Sequence, residues 1–327
     1  MANNDDGWQE GGWFEYIGGF LVDDNDPDTG DDEDDDEDDD IRIHVDRSNV
    51  VRVSVDPSVT LIAVCAFLHC ADLREIRIPN SVRSIGGKAF YGCCNLIEIN
   101  LPTSVTSIDW CAFSFCDSLR SFVLPNWNTI FGSYALSDCR NLTNVELPDG
   151  MTFIREGFLA KCVSLRNIRI PNSVQLIQYY AFSGCAVLRE IDLPNSLIHI
   201  GEHAFAGCTA LTRIVVPDSV AAIQRYAFCD CSSLAIVRLP RNPNLAIANN
   251  VFHGCNSLTK LELPRMALAV WPRFLEQYNA NSHTCLARIG LSEVGRKTCV
   301  FSFLREGVPQ LFEASQRPAV VRRRQQV

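Results

Sequence analysis

The first 40 residues contain neither lysine nor arginine, and the whole 327-residue chain holds only 3 methionines. No uninterrupted apolar run approaches the ~18 residues that a bilayer-spanning helix requires. The start, Met1-Ala2-Asn3-Asn4-Asp5-Asp6, lacks the basic and apolar segments of a secretory leader, which points to a cytoplasmic or nuclear protein. Catalytic fingerprints are missing too: there is no G-x-S-x-G elbow, no P-loop and no dinucleotide-binding glycine pattern. An enzyme is therefore not expected. With 47% apolar residues, the chain still has ordinary material for a folded core.

What the sequence has in excess is acid at one end. Residues 23–40 carry 14 carboxylates and residues 1–22 carry four more. Of 39 Asp and Glu, 21 remain in residues 41–327 against all 29 Lys and Arg, so an acidic N-terminus precedes a body of net charge +8. The run from Asp31 to Asp40 cannot order itself, because like charges repel and no apolar side chain offsets the entropy. Residues 1–40 are thus expected to be disordered. Within them, Trp8, Trp13, Phe14, Tyr16, Ile17 and Phe20 form an aromatic segment that docks on a partner, docks on the folded body, or extends its N-terminal cap.

The body is periodic. Pro79, Pro102, Pro125, Pro148, Pro171, Pro194, Pro217 and Pro240 stand 23 residues apart, and cysteines keep the same step from Cys70 to Cys231, with Cys255 one residue late. A leucine follows each of these nine cysteines by three places, from Leu73 to Leu258. A fixed period of this length means a solenoid. In Leu73-Arg74-Glu75-Ile76-Arg77-Ile78, Ile76 and Ile78 point one way and Glu75 and Arg77 the other, as in a half-buried strand. Pro79 ends the strand by removing a donor, and Asn80-Ser81 makes a turn. Val82 and Ile85 return to the core, and Ala89-Phe90 ahead of Cys93 has the spacing of a short helical turn. Two units depart from the pattern, with Ala135-Leu136 and Phe158-Leu159 in place of Ala-Phe; they either bulge or repack with hydrophobic volume kept.

These units, for example Asn80 through Cys93 and Asn195 through Cys208, resemble the leucine-rich repeat class, specifically its BspA-like branch with L-P-x-S-V-x-x-I-G-x-x-A-F-x-x-C. The resemblance covers nine units over residues 56–264. It implies a strand-dominated α/β solenoid: a right-handed leucine-rich-repeat superhelix with a parallel sheet and short helical turns. It also implies a binding scaffold of open target, since fold alone does not specify function. Residues 41–55 alternate as an N-terminal cap. Residues 265–316 read as a helical C-terminal cap, and 317–327, with Arg322-Arg323-Arg324, as a basic flexible tail.

Nine of the 15 cysteines occupy one repeat position, so their spacing follows the coil and not a ligand cluster. The expected outcome is a ladder of buried thiols that fill space and bond loop carbonyls weakly. Neither His199 with His203 nor Asp24, Asp26 and Asp28 fits a metal motif: Gly201 opposes a helix in the first, and Thr29 replaces the required glycine in the second. No metal or cofactor is expected.

A partner would meet the outward positions of L-x-x-I-x-I. These hold Arg74, Arg77, Arg120, Arg166, Arg169, Arg189, Arg213, Arg238 and Lys260 against Glu75, Glu98, Glu146, Glu190, Asp192 and Glu262. The basic residues are densest at Arg166, Arg169, Arg189 and Arg213. Arginine forks suit carboxylates, so the expected occupant is an acidic segment of a protein partner, or the chain's own aspartate run. The alternative for the face is a self-compensating salt-bridge surface. For the whole protein the alternatives are a self-assembling structural repeat protein and, less favoured, a nucleic-acid-associated one. No membrane partner is expected.

Overall fold

The structure, a computed structural model, describes residues 8–9, 13–22, 42–44 and 50–262 other than 125, 127 and 243. The acidic run, the helical C-terminal cap and the basic tail expected from the sequence lie outside the described residues. Within them the chain is a β-solenoid of about nine turns. One side carries the strands Arg52–Val55, Glu75–Arg77, Ser121–Val123, Asn144–Glu146, Arg213–Val215, Ile236–Arg238 and Lys260–Glu262. A second side carries two-residue strands, among them Leu61–Ile62, Ser84–Ile85, Ser107–Ile108 and Ile130–Phe131. Pairing along both sides is parallel and advances one coil at a time, with Ile76 opposite Val53 and Ile85 opposite Ile62.

The third side corrects the α/β expectation. The segment around Ala-Phe is not a helical turn, and no helix occurs among the described residues. Its amides alternate: Lys88, Phe90 and Gly92 donate to Trp110, Ala112 and Ser114 of the following coil (2.8–2.9 Å), while Ala89, Tyr91 and Cys93 donate three residues back to Gly86, Lys88 and Phe90 (3.0–3.2 Å). An α-helix would need every amide to point four residues back. The backbone can alternate because two residues per coil sit in the left-handed region, such as Tyr180 (φ 56°) and Gly184 (φ 75°). The second of these columns takes glycine at Gly92, Gly184, Gly207 and Gly254 but also Phe115, Asp138 and Lys161. Inter-coil bonds compensate the local cost of ~1–2 kcal/mol that a side chain incurs there.

The periodic residues line the interior. Leu73, Val82, Ala89, Phe90 and Cys93 are fully buried, and most of their equivalents along the stack are buried too; Asn128, at the Val82 position of a departing unit, is exposed. Phenylalanines of successive coils stack face to face, Phe67 on Phe90 at 5.2 Å, Phe90 on Phe113 at 5.1 Å and Phe205 on Phe228 at 5.1 Å. Where Leu136 and Leu159 interrupt the column, Phe122 packs on Phe113 at 5.3 Å and Phe131 on Phe158 at 5.3 Å. The departing units therefore repack and keep their volume, although the second-side ladder breaks between Ile130–Phe131 and Phe153–Ile154.

The ladder thiols are buried and none is in a disulfide. From Cys93 to Cys255, Sγ donates to a carbonyl of the preceding coil at 3.0–3.3 Å, for example Cys185 to the Leu159 oxygen. Burial pushes the Cys185 thiol up to about 12 and raises Cys116, Cys162 and Cys208 as well. At Cys208 the neighbouring Cys185 sulfur adds to the effect of burial. Because the folded state holds these protons more tightly than the unfolded chain, the stabilisation is complete below about pH 8.5 and is lost as pH rises toward the folded value. The native protein at about pH 8 is therefore expected to leave the ladder thiols unlabelled by a thiol reagent that titrates them all in denaturant, with midpoint stability declining above about pH 9. Rapid labelling of the ladder in the native protein would contradict the burial.

At the N-terminal end, β1 (Trp8–Gln9) pairs antiparallel with β2 (Trp13–Tyr16), and β2 pairs in parallel with β5 (Arg52–Val55), Phe14 opposite Val53. The expectation of disorder over residues 1–40 does not hold for this segment. Phe14 and Tyr16 are fully buried, so their apolar area offsets the ordering entropy that the aspartates cannot. Tyr16 lies 4.9 Å from Phe67 at the end of the aromatic column. β3 (Phe20–Val22) pairs in parallel with β4 (Arg42–His44).

Candidate protein-binding groove

On the strand side, the three outward positions of L-x-x-I-x-I recur one coil later and form three columns. The column directly after the repeat leucine reads Val51, Arg74, Ile97, Arg120, Thr143, Arg166, Arg189, Thr212 and Ala235. Backbone bonds fix neighbours in it: Thr143 N–H donates to the Arg120 oxygen (2.9 Å) and Arg189 N–H to that of Arg166 (3.5 Å). This column contains four arginines and no acid. The acids Glu75, Glu98, Glu146, Glu190, Asp192 and Glu262 all stand in the other two columns.

The structure divides the eight predicted arginines accordingly. Arg77 is committed to the cap, its guanidinium 3.8 Å from the Trp13 ring centroid, with Nε 3.8 Å from the Glu75 carboxylate. Arg169 bonds Asp149 at 3.1 Å. Arg213 and the half-buried Arg238 face Glu262, whose carboxyl is held below its usual range first by a hydrogen bond from Lys260 (2.7 Å) and further by those two guanidinium charges, against burial. Arg74, Arg120, Arg166 and Arg189 are exposed, and none has an ion-pair partner among the described residues. The predicted grouping of Arg213 with Arg166, Arg169 and Arg189 thus splits by column: Arg166 and Arg189 are adjacent, whereas Arg213 aligns with Ile236 and Lys260.

An open groove runs beside the basic column, lined by Ile97, Ser118, Arg120, Asn141, Thr143 and Ser164. Its far wall is the residue just before each repeat leucine, a position outside the L-x-x-I-x-I positions on which the sequence expectation rests. Its signal is nevertheless in the chain, since Asp72, Asn95, Ser118, Asn141 and Ser164 keep it polar over five coils. Hydroxyls and an amide on one wall and a guanidinium on the other supply donors, with Ile97, 46% exposed, as an apolar member of the basic column. Such a lining suits an extended segment with carboxylates at coil spacing.

The nearest approach to a catalytic arrangement lies on the third side. Cys229 Sγ is 3.8 Å from His203 Nδ1, and His203 Nε2 is 3.9 Å from Glu202. Burial and then the Asp230 carboxylate, 3.7 Å from the sulfur, push the Cys229 thiol up to about 12. A thiol so held is not a nucleophile at neutral pH. His203 is instead stacked between Tyr180 and Tyr226, 4.9 Å from each. No group of three or more metal-binding side chains occurs among the described residues, and no helix among them is long and apolar enough to cross a membrane.

A family model described as a BspA type leucine rich repeat region, in 6 copies, matches residues 46–165 and 152–270. Among solved structures, a leucine-rich repeat protein from Bacteroides ovatus is 27% identical with a TM-score of 0.62, covering 68% of this chain and 66% of that one. The chain thus spans just under two thirds of that relative's length. A leucine rich cell surface protein from Faecalibacterium prausnitzii is 22% identical over 71% of this chain and 81% of its own, with a TM-score of 0.37. A leucine-rich repeat protein from Eubacterium ventriosum is 19% identical over 67% and 74%, with a TM-score of 0.43. No curated protein matches the sequence.

Proposed function

The chain belongs to the BspA-type leucine-rich repeat family, and on that premise we propose that it is a non-catalytic protein-interaction scaffold whose strand-side groove takes an extended acidic segment of a protein partner. The observation that carries the reading is the segregation of charge: Arg74, Arg120, Arg166 and Arg189 share one exposed column free of acids, and around Arg120 the groove offers the neutral donors Ser118, Asn141, Thr143 and Ser164. A self-compensating surface would mix signs in every column. Arg77, Arg169, Arg213 and Arg238 stand outside the proposed binding set, because each faces an internal carboxylate or the cap.

End-to-end self-assembly has less support, since the N-terminal edge strand β1 is only two residues long and so short an edge templates further pairing poorly. Nucleic acid is disfavoured by Glu75, Glu98 and Glu190 flanking the basic column. Buried, protonated thiols along the core suit a reducing compartment, the cytoplasm or nucleus.

Panning a random peptide library against the wild-type chain and an Arg120→Glu/Arg166→Glu/Arg189→Glu variant tests the reading. Acid-rich peptides are expected to be enriched on the wild type only, with affinity falling steeply as salt is raised. Enrichment without acidic bias, or equal enrichment on the variant, would contradict it.

A further inference from the structure

Resting on that reading of the groove, we infer that the solenoid is hinged beneath it, at the repeat turn of residues 148–152, and that an acidic partner segment locks the hinge by bridging the two halves. Coils elsewhere are joined on more than one side. The second-side ladder runs without a gap from Leu61–Ile62 to Ile130–Phe131, and again from Phe153–Ile154 to Ala246–Ile247. It therefore spans every other repeat turn between those limits.

Between the half that ends at residue 147 and the half that begins at 153, three of the usual links are missing together. On the second side, Ile130–Phe131 and Phe153–Ile154 do not pair. On the strand side, Asn144–Glu146 pairs backward with Ser121–Val123, and among the described residues no backbone bond joins 142–147 to 165–170. At the turn itself, other coils use a serine hydroxyl: Ser104, Ser173, Ser196 and Ser219 donate to the carbonyls of Val82, Met151, Val174 and Leu197 in the preceding coil (2.6–2.8 Å). Gly150 stands at that position here and has no hydroxyl to donate.

The third side stays bonded. The Tyr134, Leu136 and Asp138 amides donate to the Glu156, Phe158 and Ala160 oxygens (2.7–3.1 Å), and Cys162 Sγ donates to the Leu136 oxygen (3.2 Å). Lys161 pairs with Asp138 at 3.6 Å, and the Phe131 ring packs on third-side Phe158 at 5.3 Å. A joint bonded along one of three sides bends about that side, so the other two open and close together.

The groove crosses this joint. Ile97, Ser118, Arg120, Asn141 and Thr143 belong to the first half, and Ser164 to the second. In the acid-free column, Arg74 and Arg120 belong to the first half, Arg166 and Arg189 to the second. Parallel coils rise ~4.8 Å each, so Arg120 and Arg189 stand ~14 Å apart along the stack, the length of about four or five extended residues. A segment with carboxylates on both halves fits one setting of the hinge better than the others, and that difference in affinity shifts the population. An anion held by one half alone binds every setting equally and shifts nothing.

Residual dipolar couplings of the backbone amides test this in the full chain, weakly aligned in a neutral medium. Fitted separately, residues 50–147 and 153–262 are expected to show different degrees of order in the free protein. They are expected to converge on one value when a synthetic peptide of the sequence of residues 31–40, added in trans, is bound, with binding followed by fluorescence anisotropy of the labelled peptide. In an Arg166→Glu/Arg189→Glu variant, verified as folded by circular dichroism, the peptide is expected to leave the two values apart. One common value in the free protein overturns the hinge and leaves the groove standing. Two values that persist in the peptide-bound wild type, or convergence in the variant, overturn the lock. Absence of peptide binding to the wild type overturns the groove and the lock together, while the couplings of the free protein still read the hinge.

Discussion

Phe205→Ala is expected to lower the unfolding free energy by about 3–5 kcal/mol, the range for truncating a fully buried phenylalanine. Phe205 has no exposed surface, and its ring lies 5.2 Å from Phe182 and 5.1 Å from Phe228, nearly parallel to both. The cavity cannot close, because the spacing of the coils is set by backbone bonds that the substitution leaves intact, including Phe205 N–H to the Ala227 oxygen at 2.8 Å. Phe205→Leu should cost roughly a third as much, yet more than the natural leucines at 136 and 159 suggest. There Phe131 and Phe158 supply the missing volume, and nothing equivalent neighbours Phe205. Urea unfolding with an unchanged slope and a lowered midpoint checks both values. A loss below about 1 kcal/mol for the alanine variant would show that the aromatic column is not what holds the coils together.

Tyr16→Ala is expected to cost a comparable ~3–5 kcal/mol and to open the N-terminal end of the solenoid. Tyr16 is fully buried, packs on Phe67, donates its hydroxyl to the Gly19 oxygen (2.8 Å) and accepts the Ala63 amide (3.2 Å). Burial raises its hydroxyl above the usual phenol value, consistent with a neutral donor in a closed environment. Tyr16→Phe separates the two contributions: it keeps the ring and loses the hydrogen bonds, at a cost of about 1–3 kcal/mol for the Ala63 amide left without its partner. Hydrogen exchange should then accelerate at Phe14, Val53 and Ala63 before it does so at the central coils. A Tyr16→Ala protein that melts and exchanges like the wild type would mean that the segment lies on the solenoid without sealing it.

The solenoid is legible in the sequence because each coil repeats the same instruction. Leu73, Ile76, Val82, Ile85 and Phe90 announce a buried stripe that no single coil could cover, and nine copies leave one solution. The turn around Ala89-Phe90 is not legible in the same way, because its spacing suits a helix as well as the structure found; what decides it is the inter-coil bond from Phe90 to Ala112, and such a bond has no local sequence mark. Glycines at 92, 184, 207 and 254 are the available hint, since a recurrent glycine marks a left-handed position. In the N-terminal segment, the aromatic residues are visible but not the strand they make, because the acidic run separates Tyr16 from the coil it caps. For the groove, the outward arginines follow from the pattern alone. Which of them are already engaged does not, since Arg77 meets Trp13 and Arg169 meets Asp149 across coils.

The account turns on where an acidic segment touches the strand side, and side-chain NMR reads this directly. Arginine Nε–Hε resonances, followed as a synthetic peptide of the sequence of residues 31–40 is added in trans, should shift at Arg120, Arg166 and Arg189 and stay in place at Arg213 and Arg238. Shifts spread evenly over all exposed arginines, or confined to those outside the acid-free column, would contradict a groove built for an acidic segment.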